Sequence, residues 1–368
     1  MLYVRPGIVG GGETYARGLI NGLRELKLAY NFVVFLNRLA YPTFSELEEE
    51  PRFRRVLCST PLNPIARHFW EQLRLEKLCR EYGVDLLHSL GNVTPLFASL
   101  LKVVTIHDLI YERSAATIGF LKHYGFRILL PRSANASDAV LTVSAFSKNE
   151  LVEKVGVDPR KIFVTPEGPG QEWGDRAPWE EVQKKYSIPE NFFLAVGTGA
   201  AKRLDLTAAA LQQLKERGKD VHLVVVGFVD RDLGSLTRQG NIHVLGYVPR
   251  DELAALFQKA IALVCASDVE GFGLPVLEAM MLGTPVIALD RGALAEVIGS
   301  GGLLVECNSP NALGEMMWSL LENPLLREHL KVRGSERVKC FSWKNCAERT
   351  VEAYDQVLRV RHAPGQGH

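Results

Sequence analysis

The stretch Asp268-Val-Glu-Gly-Phe-Gly-Leu-Pro-Val-Leu-Glu-Ala-Met-Met-Leu-Gly-Thr-Pro-Val-Ile287 decides the fold. An apolar run at 261–266 precedes it and reads as a buried strand. Residues 270–274 form a glycine-containing loop, and Pro275 falls at a first helical position, where proline is pre-organised. Val276, Leu277, Ala279 and Met280 continue the helix, Gly283 stops it, and 285–289 resumes as strand. A helix start behind a glycine loop offers unpaired N–H groups and a positive dipole end, which together attract an anion. Two carboxylates flank that start, Glu270 in the loop and Glu278 on the helix. Both can accept hydrogen bonds from sugar hydroxyls. An arbitrary pair at this spacing is more often a loop residue and a solvated helix residue.

Working outward, the second half restarts with a strand at 192–196, followed by Gly197-Thr-Gly-Ala-Ala-Lys202-Arg203. This is a second glycine loop at a strand end, with two cations placed to neutralise a diphosphate. A strand at 221–226 leads to Asp230-Arg-Asp232, read as a polar turn. A short strand at 242–245 precedes a helix capped by Asp251. Residues 291–298 follow the strand at 285–289 and carry Glu296.

The first half opens with 2–4 as the end of a strand, a glycine-rich loop at 5–13 and an amphipathic helix at 14–26. Strand, glycine loop and helix together make the phosphate-binding opening of a doubly wound domain. The spacing is not G-x-G-x-x-G, so a nicotinamide fingerprint is absent. Gly11, Gly12 and Glu13 sit at this opening. Strands follow at 32–36, 84–88, 102–106, 139–143 and 161–165, with a helix at 67–78 and an acidic, solvated run at 46–50. His107 and Asp108 close a buried strand on the ligand face, although a lone histidine is more often structural. Residues 113–133 mix Arg113, Lys122, His123, Arg127 and Arg132 with apolar and aromatic residues. Such a stretch suits either an anionic membrane surface or a core helix with solvated basic residues. Ser147-Lys-Asn-Glu150 reads as a capping box that starts a helix. Residues 166–174 have linker composition, and 341–360 reads as one closing helix.

Composition sets the bounds. The 368 residues are 47% hydrophobic and 23% charged with a net charge of +1, ordinary for a globular chain and without a nucleic-acid field. The half up to residue 170 is mildly basic and the rest mildly acidic. The six cysteines form no C-x-x-C pair and read as reduced thiols. No signal peptide is seen, and no run approaches the roughly 20 apolar residues of a spanning helix. A cytoplasmic protein is expected, with peripheral membrane contact through 113–133 as an option.

Taken whole, 268–287 closely resembles the signature of the family-4 retaining glycosyltransferases (glycosyltransferase group 1), which have the GT-B fold. His107-Asp108, 143–148 and Lys202-Arg203 resemble that family less specifically, and Leu204 stands where the family usually has asparagine. The resemblance implies an α/β fold with two Rossmann-like doubly wound domains facing each other across a cleft, and a C-terminal helix crossing back. The expected bounds are 1–168 for an acceptor domain, 169–342 for a nucleotide-sugar domain, and 343–368 for the crossing helix and a frayed tail. It implies retaining transfer from a nucleotide-diphosphate sugar, most readily a UDP- or GDP-sugar, to a glycan, lipid-linked or small-molecule acceptor. No cofactor or metal is implied.

The implied catalytic residues are His107, Glu270, Lys202 and Arg203. The donor would meet Gly11, Gly12, Gly197, Phe272, Gly273, Leu274 and Glu278, the last at the ribose. The acceptor would meet Glu13 and Asp108. A nucleotide-sugar epimerase and an inactive nucleotide-sugar-binding protein are the rival readings.

Overall fold

A computed structural model describes residues 1–6, 10–109, 120–170, 173, 176–227, 234 and 240–362, without the side chains of 120–124 and 361–362. The chain divides into two compact units, one of Met1–Gly168 with Ser342–His368, the other of Pro169–Phe341.

The first unit contains α1 (Gly11–Glu25), β1 (Phe32–Asn37), a 3-10 helix (Tyr41–Glu49), β2 (Phe53–Cys58) and α2 (Pro64–Glu81). It continues with β3 (Leu86–Ser89), β4 (Leu101–Thr105), α3 (Phe120–Ala136), β5 (Ala139–Thr142), α4 (Ala145–Glu150) and β6 (Ile162–Val164). All pairings are parallel, but the strands fall into two sheets, β1-β2 and β3-β4-β5-β6. The C-terminal helix (Trp343–His362) packs on α1. Glycine permits that close approach: a Cβ on Gly18 would stand 2.1 Å from the Trp343 indole, and one on Gly22 would stand 2.1 Å from the Trp343 carbonyl oxygen.

Several expectations need correction here. Residues 2–4 are not a strand end: Leu2 and Tyr3 form a turn, and Asn37 Nδ2 donates to the carbonyls of Leu2 and Val4. The helix after β5 starts at Ala145, because Ser144 follows the strand in extended conformation and its side chain caps the Ser147 N–H. Ser147 is therefore inside the helix. The acidic run lies largely in the 3-10 helix, which Phe44 and Leu47 anchor by full burial. β2 was not expected, since Arg54 and Arg55 interrupt its apolar pattern. Their guanidinium groups stack over Tyr82 and Tyr41; Arg54 stays exposed, and the buried Arg55 is met by Glu48 and the Tyr41 carbonyl.

The second unit contains α5 (Trp179–Tyr186), β7 (Phe192–Val196), α6 (Leu204–Glu216), β8 (His222–Val226), β9 (Ile242–Gly246) and α7 (Arg250–Lys259). It continues with β10 (Leu263–Cys265), α8 (Leu274–Met281), β11 (Val286–Leu289), α9 (Leu294–Ile298), β12 (Leu303–Val305), α10 (Pro310–Glu322) and α11 (Pro324–Val338). The strands form one parallel sheet in the order β12-β11-β10-β7-β8-β9. Strand order reverses between β7 and β10. Open α/β sheets bind ligands beyond the strand ends at such a switch point. Asp251 does not cap α7; Pro249 holds the cap position and Asp251 lies in the first turn. Pro275 is the second residue of α8, after Leu274.

Candidate functional site

The loops after β7 and β10 meet at the switch point of the second unit. Gly197 follows β7 directly with φ of 98°, and a Cβ there would stand 2.7 Å from Lys202 Cε, so the turn and the lysine need glycine at this place. Lys202 Nζ donates to Glu270 Oε1 at 2.5 Å. The buried Ser267 hydroxyl donates to the same oxygen at 2.6 Å. The Glu270 loop is also held through its backbone. Ala293 N donates to Glu270 O at 3.0 Å, and Gly292, with φ of 62°, lies so close that a Cβ would stand 2.6 Å from that oxygen. Asp268 N donates to Ala201 O at 2.9 Å, which joins the two loops. Arg203, in left-handed conformation with φ of 46°, pairs with Asp205 and Asp268 at 3.1 Å each. Sequence reasoning treated Lys202 and Arg203 as alike, whereas the structure gives Glu270 to the first and exposed aspartates to the second.

Gly273 precedes α8 with φ of 100°, and no side chain caps that helix. The first-turn N–H groups and the positive helix end are thus not capped by a side chain. The Phe272 side chain is turned away into packing, edge-on to Phe341 with centroids 5.7 Å apart. Its contribution to an anion site is its backbone. Glu278, half-buried on α8, stands beside Gly170. A Cβ on that glycine would be 2.2 Å from Glu278 Oε1 and 2.7 Å from Arg250 Nη2, so the carboxylate and the guanidinium share one space. The Glu296 carbonyl accepts from Arg337 at 2.6 Å.

In the first unit His107 lies two residues beyond β4. Its Nε2 faces the Leu90 carbonyl at 3.2 Å and its Nδ1 faces Glu167 Oε1 at 3.3 Å. Both ring nitrogens face acceptors, which favours the doubly protonated ring. Burial opposes that charge, but the Glu167 carboxylate, with help from Asp108, holds the pKa above its ordinary value. Tyr15 meets the ring edge-on at 4.6 Å, and Ser147 Oγ donates to the His107 carbonyl at 3.0 Å. Beneath lies a buried relay in which Thr105 Oγ1 is shared by Tyr15 and His88, and His88 Nδ1 meets the Tyr354 hydroxyl at 2.6 Å. Burial pushes His88 down to about 3, so it stays neutral in the relay.

Gly11 and Gly12 belong to the first turn of α1, with Gly10 as cap. Tyr3 packs on Gly12 and donates its hydroxyl to the Gly12 carbonyl at 3.0 Å. Glu13 is paired with Arg17 at 2.9 Å. The loop glycine at position 7, Arg113, the Asp230–Asp232 turn and the last six residues lie outside the described residues, as do the side chains of Lys122 and His123.

Glu167, Ser267 and Arg250 were not singled out by sequence. Glu167 fell in a stretch with linker composition. The available signal was a carboxylate right after a strand end, on the edge where His107 also lies.

Parallel doubly wound sheets with a charged glycine-loop site define a two-domain, Rossmann-like GT-B protein. A crystal structure of Anabaena HepE in complex with UDP and glucose superposes with a TM-score of 0.73 at 17% identity, covering 96% of this chain and 98% of that one. The family model described as Glycosyltransferase Family 4 matches residues 9–168, and the model described as Glycosyl transferases group 1 matches residues 179–337. An Escherichia coli O-antigen chain mannosyltransferase B is 32% identical over 61% of this chain and 62% of its own length. The Salmonella typhimurium O-antigen chain mannosyltransferase RfbU is 30% identical over 67% of each chain. The match thus spans a little under two thirds of the first of these relatives. This chain belongs to the family-4, group 1 glycosyltransferases.

Proposed function

We propose that the protein is a retaining glycosyltransferase that moves a sugar from a UDP- or GDP-sugar to a glycan or lipid-linked acceptor in cell-surface polysaccharide synthesis. The observation that carries this reading is the Lys202–Glu270 pair at the N-terminal end of α8, on the switch point of the sheet. Cleaving the donor builds negative charge on phosphate oxygens. Lys202, Arg203 and the N–H groups of Phe272, Gly273 and Leu274 are the groups that would stabilise it as it develops. Glu270 would hold the sugar, which becomes oxocarbenium-like. Glu278 would accept from the ribose.

In the proposed step the acceptor oxygen attacks the anomeric carbon on the face that the phosphate leaves. The C–O bond to phosphate breaks, and the acceptor proton passes to the departing phosphate. The basic side chains and helix end supply the charge stabilisation that a metal supplies elsewhere. The two O-antigen mannosyltransferases among the relatives make a mannosyl group the first sugar to test. No helix among the described residues is long and apolar enough to cross a membrane. For a lipid-linked acceptor, α3, with Arg127, Ile128 and Arg132 exposed, is the proposed contact with an anionic surface.

The test is thermal stability with UDP, GDP and ADP, each with and without EDTA. A nucleotide at 100 times its Kd adds about 2.7 kcal/mol. Stabilisation by one nucleotide, indifferent to EDTA and lost in Glu278→Ala, is expected. No shift with any of the three would remove the donor-site assignment.

A further inference from the structure

At one edge of the second unit's sheet, Asp220-Val-His222 and Asn241-Ile-His243 repeat one pattern, a polar residue two places ahead of a histidine. β8 and β9 pair in parallel, with Leu223 opposite Ile242 and Val224 opposite His243, and Leu223 N donates to Asn241 O at 2.9 Å. Continued one step back, this register sets Asn241 opposite His222. Leu223, Val225 and Ile242 belong to the core shared with α6 and α10. Alternation therefore turns His222, Asn241 and His243 to the other face, with His243 diagonal to His222.

The two imidazoles meet there nitrogen to nitrogen, with His222 Nδ1 and His243 Nε2 3.1 Å apart. The exposed Asp220 carboxylate lies 3.2 Å from His222 Nε2. That nitrogen donates its proton to the carboxylate, which leaves the Nδ1 lone pair turned to His243. A carboxylate behind the far nitrogen is the common partner of a metal-binding histidine. The spacing fits a metal as well. With bonds of about 2.05 Å, the 3.1 Å separation subtends about 98° at a shared ion, between the octahedral and tetrahedral angles. Asn241 is 5% exposed, and neither polar atom of its side-chain amide has a hydrogen-bond partner. A buried amide left in that state calls for a ligand or a bound water beside it.

We propose that His222 Nδ1 and His243 Nε2 chelate one divalent transition-metal ion, with zinc as the first choice, while Asp220 orients His222 and Asn241 receives a metal-bound water. The ion takes the place of the proton shared between the rings, and neutral His243 then carries its proton on Nδ1. Among the described residues no three His, Cys, Asp or Glu side chains are placed to hold a metal. Water therefore completes the shell, and the site exchanges its ion, unlike a closed four-ligand zinc site. Imidazole ligands suit zinc, nickel and copper, whereas magnesium and calcium take oxygen ligands. His222 is the first residue of β8 and His243 the second of β9. Both stand at the N-terminal ends of their strands, away from the C-terminal ends that carry Gly197 and Glu270. The ion clamps the edge strand to its neighbour and stands outside the transfer chemistry.

The test titrates the full chain, stripped with EDTA and desalted, with zinc chloride. One equivalent is expected to bind with a micromolar dissociation constant. Zinc at 100 times that constant should raise the melting temperature by about 3 °C or more, and magnesium at the same concentration should not. In imidazole nitrogen NMR, zinc should shift Nδ1 of His222 and Nε2 of His243 and leave Nε2 of His222 protonated. His243→Gln, with unchanged circular dichroism, should weaken zinc binding by about 30-fold or more, and Asp220→Asn, at an exposed position, by about 10-fold. Zinc binding in His243→Gln at the parent's affinity would move the metal to other groups, such as the exposed Cys307 and Cys340, and overturn the proposal. So would a His222–His243 hydrogen bond that persists at saturating zinc, which would make the pair a structural contact and no more.

Discussion

In the second unit β7 runs between β8 and β10 and feeds a loop whose glycine is clamped on both sides, with Lys202 against Gly197 and Gly227 packed on its other flank. In the first unit α1 starts with Gly10 exposed at its cap, and the sheet beneath it is split. The second unit's loop leaves a strand with a neighbour on each side, whereas among the described residues no strand leads into α1. Where the strand is flanked by two neighbours, backbone and cation are positioned together. In the first unit a tyrosine hydroxyl holds the Gly12 carbonyl and an asparagine amide holds those of Leu2 and Val4. The charges differ too: the second unit sets a lysine on a carboxylate at a helix start, the first sets a carboxylate on a histidine over a neutral relay.

The largest test of that contrast is Lys202→Met. Loss of one preorganised charge-stabilising group costs about 100- to 1,000-fold in turnover, so sugar transfer at saturating donor should fall by that much. Transfer within threefold of the parent would show that the second unit's loop is not where charge develops. Next comes Gly273→Val, which forces a β-branched residue to a φ of 100° and a Cβ to within 2.9 Å of Leu294 Cδ2. Strain of about 1–3 kcal/mol should weaken nucleotide binding roughly 10- to 100-fold by calorimetry.

Gly18→Val then probes the first unit. Overpacking against Trp343 costs about 1–3 kcal/mol, and melting followed through Trp343 should shift down while nucleotide binding persists. The smallest effect is Glu167→Gln. The His107 pKa is raised above 6.5 in the folded chain, so the stability it contributes is fully present below pH 6.5 and is lost as pH rises through the raised value. In the variant, burial acts without its counter-charge, and the imidazole titration followed by NMR should move to lower pH.

The second unit's sheet was the more legible in sequence. β7 has the expected bounds, because Phe192 to Ala195 are buried and form one apolar run. The loop–helix at 270–281 was legible for a similar reason: Gly273 and Pro275 are rigid demands of the backbone. Strand β2 was hidden because its arginines are accommodated by aromatic rings distant in sequence, a tertiary effect. The cap at Ser144 was misplaced by three residues, since two serines at that spacing compete and only the extended one after β5 can cap. Glu167 was illegible for a different reason. Its meaning lies in a histidine 60 positions earlier, and no local pattern carries that pairing.

The C-terminal helix has one further consequence. The chain leaves the first unit at Gly168 and returns to it at Ser342, and these points touch: a Cβ on Gly168 would stand 2.5 Å from the Trp343 nitrogen. The second unit is thus a cassette carried on adjacent stems. Cutting at both stems and closing them with a short linker would leave the first unit its own helix and core, and another family member's nucleotide-binding unit could be spliced in at the same junction.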